Sequence, residues 1–190
     1  VKGDEERPME LPVLAPEIVA VLINEWAAVP QERSARPWGG YPEEASPARA
    51  GVRSGWPAGE ALPADEAVRE AGDALYPLFE AADGVELAAR ANTVIECLGL
   101  RPCVREDGES WGWCLPSHSS ESRVLCGAML AAVLDVVGSA RGAGLGICGA
   151  EDCGDVYLDP TGARRRRYCT PRCQTRQRVR EHRRRNRRVP

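Results

Sequence analysis

Four cysteines in the last quarter of the chain constrain its fold more than any other feature. Cys148, Cys153, Cys169 and Cys173 form a C-x4-C-x15-C-x3-C pattern within 26 residues. Two close pairs separated by a loop supply four thiolates, enough to complete a tetrahedral Zn2+ shell with no open position. The alternative is four independent buried cysteines, each acting as a small hydrophobe. The surrounding residues are charged and poor in apolar side chains, which leaves little core to bury them in. The pattern therefore calls for one structural zinc, and metal binding should supply most of the folding energy of so small a module. Gly154, directly after the second cysteine, suits a tight turn with positive φ. Thr170 is a good helix N-cap and Pro171 fits the first helical position. Cys173 then falls in a first turn whose free N–H groups favour a thiolate. Between the pairs, residues 156–158 read as a short strand and 159–162 as a turn.

Charge is distributed as unevenly as cysteine. The net charge of −3 averages residues 1–140, with 11 Lys+Arg against 23 Asp+Glu (net −12), and residues 141–190, with 14 against 5 (net +9). From residue 164 onward there are 13 Arg and one acid, Glu181, a net of +12 over 27 residues. An acidic body with a basic arm is the mark of a chain that seeks polyanions. Arg164, Arg165, Arg166 and Arg167 precede Cys169, so zinc would hold one end of that run. Residues 171–188 read as a helix with almost no apolar stripe, Val179 being the exception. Arg172, Arg176, Arg180, Arg183 and Arg187 are expected along one side, and Arg178 and Arg184 broaden the charge. A basic helix of this length suits a major groove, with arginines on phosphates and Gln174, Thr175, Gln177 and Asn186 as candidate base-edge contacts. Double-stranded DNA is the expected partner, with RNA or a ribosomal surface as the alternative. The arm lacks the apolar residues that insertion into an acidic lipid surface needs.

The first 143 residues read as an acidic, mainly helical domain with one β-hairpin, and residues 144–190 as the zinc module with its basic helix. The fold class is thus α+β, mainly α. Apolar residues recur at helical spacing over 16–28 (Ile18, Val19, Leu22, Trp26) and over 65–82 (Val68, Leu75, Leu78, Phe79). Pro77 should split the second of these. Another helix follows Gly84, with Leu87, Ala91 and Ile95 in its stripe, and a long buried helix runs from about Glu121 to Ser139. Residues 30–63 hold 6 Pro and 5 Gly in 34 residues and are expected to contain no regular helix. Trp38, Tyr41 and Trp56 suggest that parts of this segment pack back onto the body. Residues 101–105 and 110–115 read as hairpin arms around a turn at 106–109, which sets Cys103 opposite Cys114, most simply as ordinary hairpin side chains. Cys97 and Cys126 are expected in the core.

Other function classes receive less support. The most apolar run, residues 124–137, is about 14 residues long and contains Asp135, against the roughly 20 apolar residues of a bilayer helix. The acidic start, Val1 to Glu6, lacks the basic region and apolar stretch of a secretory signal. A cytoplasmic, nucleoid-associated protein is expected, in which a reducing environment favours metal ligation over disulfides. No Ser-His-Asp grouping or phosphate-cradling Gly loop is recognisable in the body, which argues against an enzyme.

The cysteine module resembles the CGNR-type zinc finger. The matching text runs from Ile147-Cys148-Gly149-Ala150-Glu151-Asp152-Cys153-Gly154 through Val156-Tyr157-Leu158-Asp159. It resumes at Gly162-Ala163-Arg164-Arg165-Arg166-Arg167-Tyr168-Cys169-Thr170 and ends in Cys173-Gln174-Thr175-Arg176. Where the family carries Cys-Gly-Asn-Arg, this chain has Cys173-Gln174-Thr175-Arg176, which keeps the ligand and the arginine. The helical body, with Ile23-Asn24 near its start and a hairpin before the long helix, is similar to the ABATE-type domain that precedes this finger in bacterial proteins. The resemblance implies a stress-induced transcriptional regulator. Its N-terminal domain would then sense a small-molecule effector, dimerise, or contact RNA polymerase or other transcription machinery. The acidic body would also be placed as an intramolecular competitor for the arm.

Overall fold

The structure, a computed structural model, describes residues 9–34, 46–57, 59–97, 99, 103–107, 110–115, 120–139, 144–159 and 166–187. Trp38, Tyr41, Arg164 and Arg165 lie outside the described residues. Pro16 opens α1 (Pro16–Trp26), where its missing N–H is one that a first turn leaves unpaired in any case. Val19, Leu22, Ile23 and Trp26, spaced i, i+3, i+4 and i+7, are all buried. The chain leaves the helix at Ala27 (φ −72, ψ 145) and re-enters it as α2 (Ala28–Arg33). The first N–H of α2, on Ala28, donates to Asp73 Oδ1 at 2.7 Å, so an orphan donor is met from another helix.

Residues 30–63 hold more order than their composition implied. Part of α2 and all of α3 (Pro47–Gly55) lie within them. Pro30 falls in the first turn of α2, and Pro47 is the first residue of α3, positions where proline removes no helical hydrogen bond. Ser46 caps α3, its Oγ accepting from Arg49 N at 3.2 Å. Close approach rather than turn formation explains Gly51: a Cβ there would lie 2.3 Å from Ile18 Cδ1 of α1. Trp56 packs into the core as expected, its Nε1 donating to Ala61 O at 2.9 Å.

Helix α4 (Asp65–Leu75) buries Ala67, Val68, Ala71, Gly72 and Leu75. Pro77 ends it, and one 3-10 turn (Tyr76–Glu80) buries Tyr76, Leu78 and Phe79. Helix α5 (Gly84–Cys97) opens on a reciprocal cap, in which Asp83 Oδ1 accepts from Glu86 N at 2.9 Å and Glu86 Oε2 accepts from Ala82 N at 2.8 Å. Helix α6 (Glu121–Ser139) is apolar through its middle, and Val124, Leu125, Cys126, Met129 and Val133 are fully buried. Helices α1, α4 and α6 pack on one another around Trp26, Leu22, Leu75, Phe79, Leu125 and Met129.

Two small antiparallel sheets complete the chain. Strands β1 (Met9–Glu10), β2 (Cys103–Asp107) and β3 (Ser110–Leu115) form a sheet of order β1-β3-β2, with Cys103 paired to Cys114 as the turn position required. Strands β4 (Gly144–Ile147) and β5 (Val156–Asp159) form a two-stranded ribbon, and α7 (Pro171–Arg187) closes the described chain. The ribbon is not a separate layer. Val156 and Leu158 belong to the same buried cluster as Trp26 and Phe79, and β4 packs on the 3-10 turn. The architecture is mainly helical with an antiparallel hairpin and a four-cysteine cluster, in agreement with the α+β expectation. Among the described residues, no helix is long and apolar enough to cross a membrane.

Cys97 departs from expectation. As the last residue of α5 it is exposed, whereas Cys126 is buried and its thiol is pushed up to about 12 by burial. Since the thiolate is the nucleophile, iodoacetamide in mildly alkaline buffer should modify Cys97 while Cys126 stays unmodified until the protein is unfolded. Peptide mass mapping of labelled native and denatured protein reads this directly; rapid native labelling of Cys126 would contradict the packing of α6.

Candidate metal centre and basic helix

The four cysteines are brought together by two backbone segments that hydrogen-bond to each other. Cys148 follows β4, and its N–H donates to Asp155 O at 2.8 Å, extending the β4–β5 ladder by one step. Cys153 N donates to Ala150 O at 3.1 Å and closes the first knuckle. Gly149 N donates to Arg167 O at 2.8 Å, which fastens that knuckle to the segment carrying Cys169. Thr170 then caps α7, its Oγ1 accepting from Cys173 N at 3.3 Å, with Pro171 as the first helical residue. The cap and proline thus stand where the sequence put them, and Cys173 lies in the first turn.

All four Sγ atoms lie within 4.8 Å of one another and all four residues are buried. Cys153 to Cys169 is 3.7 Å, Cys169 to Cys173 3.5 Å and Cys173 to Cys153 3.8 Å. A tetrahedron with Zn–S bonds of about 2.3 Å has edges of about 3.8 Å, so these separations fit one zinc ion. They are far too long for disulfides, whose S–S bond is about 2.05 Å. Four thiols this close do not ionise together unaided. Cys148 is held low, at about 3, chiefly by hydrogen bonds from the Cys153 and Cys169 thiols. Cys169 is pushed up by its contacts with Cys148 and Cys153 and by burial. A divalent cation removes this competition by taking the place of the shared protons. Among the described residues only Ala150, Tyr157 and Tyr168 add apolar surface around the four sulfurs, so little but the metal holds the cluster together. The chain therefore holds a site for one structural zinc.

A second layer of polar groups orients the ligands. Asp155 Oδ2 lies 3.5 Å from Cys169 Sγ, and its Oδ1 accepts from Ser34 Oγ of the body at 2.8 Å. Ser34 Oγ also accepts from Gly154 N at 3.2 Å. Arg176 Nη2 lies 3.4 Å from Cys173 Sγ, placing a positive charge against an anionic sulfur shell. Arg166, grouped by the sequence with the phosphate contacts, is committed to the finger itself. Its guanidinium donates to Leu158 O at 3.0 Å, to Tyr168 O at 3.2 Å and to Cys169 O, and lies over the Tyr157 ring.

The finger is joined to the body through its first strand and knuckle. Asn24, a partly buried residue of α1 outside its apolar stripe, behaves as a strand partner for β5. Its Nδ2 donates to Val156 O at 3.0 Å and its Oδ1 accepts from Val156 N at 2.6 Å. Removing that amide would strand the N–H and C=O of a buried residue, at about 1–3 kcal/mol for each group left unpaired. Tyr76 donates its hydroxyl to Gly154 O at 3.1 Å. Gly154 does not have the positive φ expected of it; among the described glycines only Gly59 and Gly99 do. The requirement is close approach, because a Cβ at 154 would lie 3.0 Å from Val29 O and 3.0 Å from Arg33 Cβ of α2. Asn24, Ser34 and Tyr76 were missing from the sequence-based site. The sequence singled out Ile23-Asn24 only as a likeness of the helical body, with no contact to the finger implied.

Helix α7 carries its arginines differently from the single row read from the sequence. Arg176 Nε lies 3.2 Å from Asp152 Oδ1, and Arg180 Nη2 3.1 Å from Asp152 Oδ2. Arg184 makes a two-pronged pair with Glu151, whose second contact is 2.9 Å. Half-exposed pairs of this kind contribute about 0–1 kcal/mol each, so they set geometry more than stability. Gln177 is buried, its Oε1 accepting from Glu151 N at 3.5 Å, which turns it away from any base edge. Arg167, Arg172, Thr175, Arg178, Arg183 and Arg187 are exposed, and Gln174 is partly so. Among the described residues no acid pairs with Arg172, Arg178, Arg183 or Arg187.

Metal analysis of the purified chain should return close to one zinc per molecule, and Cys169→Ser should reduce it to a small fraction. Full occupancy in that variant would contradict four-sulfur ligation. Comparison of the chain with curated proteins gives no match. Residues 145–186 match the family model of the CGNR zinc finger, a span that takes in the ribbon, all four cysteines and α7 to within a residue of its described end.

Proposed function

We propose that the chain is a zinc-dependent DNA-binding transcriptional regulator in which α7 meets duplex DNA. On this reading the N-terminal, ABATE-like domain senses an effector or contacts the transcription machinery. One observation carries the reading: a 17-residue helix, several of whose exposed arginines pair with no acid among the described residues, is fixed at its first turn by a metal ligand, Cys173. A cationic helix with so few apolar residues has no reason to pack on a core, and phosphates relieve its self-repulsion. Zinc sets where the helix begins and how it leaves the body, which a solvated tail would not require. The metal has four sulfur ligands and no position for water, so its part is architectural and the protein is not proposed to be an enzyme.

Binding of the zinc-loaded chain to duplex DNA, followed by fluorescence anisotropy across a salt series, tests this. Arg167, Arg172, Arg178, Arg183 and Arg187 on five phosphates predict a log–log slope of about −4.5, at roughly −0.9 per phosphate. Chelation should abolish the binding. Affinity that does not change with salt would contradict the reading. Structured RNA displacing duplex DNA at equal concentration would transfer it to an RNA- or ribosome-associated protein.

A further inference from the structure

Three of the arginines of α7 share one pair of acidic partners. Arg176, Arg180 and Arg184, spaced i, i+4 and i+8, lie over Glu151 and Asp152 of the first knuckle. Arg184 engages both oxygens of Glu151 with both terminal nitrogens, the same forked geometry that it would need for a phosphate. Arg180 reaches both acids, Asp152 at 3.1 Å and Glu151 at 4.0 Å. With 3.6 residues per turn, the opposite side of the helix carries Thr175, Arg178, His182 and Asn186, all exposed, while Arg172, one turn before Arg176, stands at the edge between the two sides. The sequence placed Arg176 and Arg180 in one row with Arg172, Arg183 and Arg187 and left Arg184 outside it; in the structure Arg184 joins Arg176 and Arg180 as an inner row over the knuckle acids, and among the described residues no acid pairs with Arg178 on the opposite side.

We propose that the outer row, Thr175, Arg178, His182 and Asn186, flanked by Arg172 at its edge, is the surface that enters the major groove. Glu151 and Asp152 then act as an acidic clasp that removes Arg176, Arg180 and Arg184 from phosphate binding. The proposal rests on the DNA-binding reading above and assigns the face that performs it. Charge and chemistry both favour it. The outer row alternates cations for the backbone with short hydrogen-bonding side chains for base edges, where an unbroken cationic stripe would bind phosphate alone. It runs about 21 Å from Arg172 to Asn186 at 1.5 Å per residue. The inner row cannot reach DNA without leaving its carboxylates, and its contacts hold α7 against the knuckle so that the outer row faces away. Arg176, Arg180 and Arg184 are positioning residues, and the clasp sets how many phosphates the helix counts.

Salt dependence of duplex binding by the full, zinc-loaded chain separates the two rows. Arg172→Ala and Arg178→Ala should each lower the magnitude of the slope by about 0.9, while Arg184→Ala leaves it unchanged. Glu151→Gln with Asp152→Asn should steepen it, because released arginines become available to phosphate. A purely structural pair of acids would not produce that gain. Equal losses from Arg184→Ala and Arg178→Ala, or no steepening on removal of the acids, would overturn the assignment. Hydrogen exchange of α7 tests the clasp without DNA. Arg184→Glu should raise exchange along the helix, and the added change Glu151→Arg should restore protection. Unchanged exchange in the single variant would refute the clasp, whereas a wild-type chain that shows no salt-dependent DNA binding would refute the DNA reading alone.

Discussion

Convergence of four sulfur atoms on one point is the constraint from which the C-terminal part of this protein follows. Thiolates at such separations repel, and protons alone leave Cys148 ionised beside a Cys169 whose thiol resists ionisation. One Zn2+ makes all four anionic sulfurs compatible. Structural zinc in comparable finger peptides contributes on the order of 10–16 kcal/mol, against the little burial that Ala150, Tyr157 and Tyr168 add around the ligands. Fixing Cys169 and Cys173 fixes the first turn of α7, and with it the direction in which an otherwise self-repelling helix leaves the protein. Arg166 and Arg176 serve this local architecture, the first by tying carbonyls of β5 and the knuckle together, the second by facing a ligand sulfur.

The metal site also bears on the body. Val156 and Leu158 of β5 are part of the core formed by α1, α4 and the 3-10 turn, and Asn24 pairs with Val156 through both of its amide atoms. Ser34 links α2 to the knuckle through Asp155 and Gly154, and Gly154 is small because α2 passes directly over it. Charge patterning separates an acidic body from a basic arm, yet packing joins them through the ribbon. The acids that pair with three arginines of α7 are Glu151 and Asp152, inside the finger. They are not part of the acidic body, residues 1–140, that the sequence set as a competitor for the arm.

What could be read from the sequence was local, and what could not was set by distant contacts. The α1 stripe, the break at Pro77, the register that pairs Cys103 with Cys114, and the Thr170-Pro171 start of α7 all depend on neighbours within a few residues. Helix α3 was missed because proline content was weighed without position; Pro47 is harmless at the first residue of a helix. Strand β1 was missed because two residues pairing with β3 over a hundred positions away leave no local pattern. The pairing of Arg184 depends on a carboxylate 33 residues upstream, so helical periodicity alone left it outside the row that holds Arg176 and Arg180. Gly154 was recognised as special for the wrong reason: its need is room for Val29, which no turn rule reveals. Cys97 fell outside the core because it ends α5, where the apolar stripe no longer has anything to face.

The central claim is that one zinc organises the finger and, through β5, part of the helical body. Hydrogen–deuterium exchange of the full chain with and without a chelator measures it most directly. The account predicts that zinc removal raises exchange in β5 and α7 and also in α1 around Asn24, whose amide loses an ordered partner. Increased exchange confined to residues 148–187, with α1 unchanged, would contradict it.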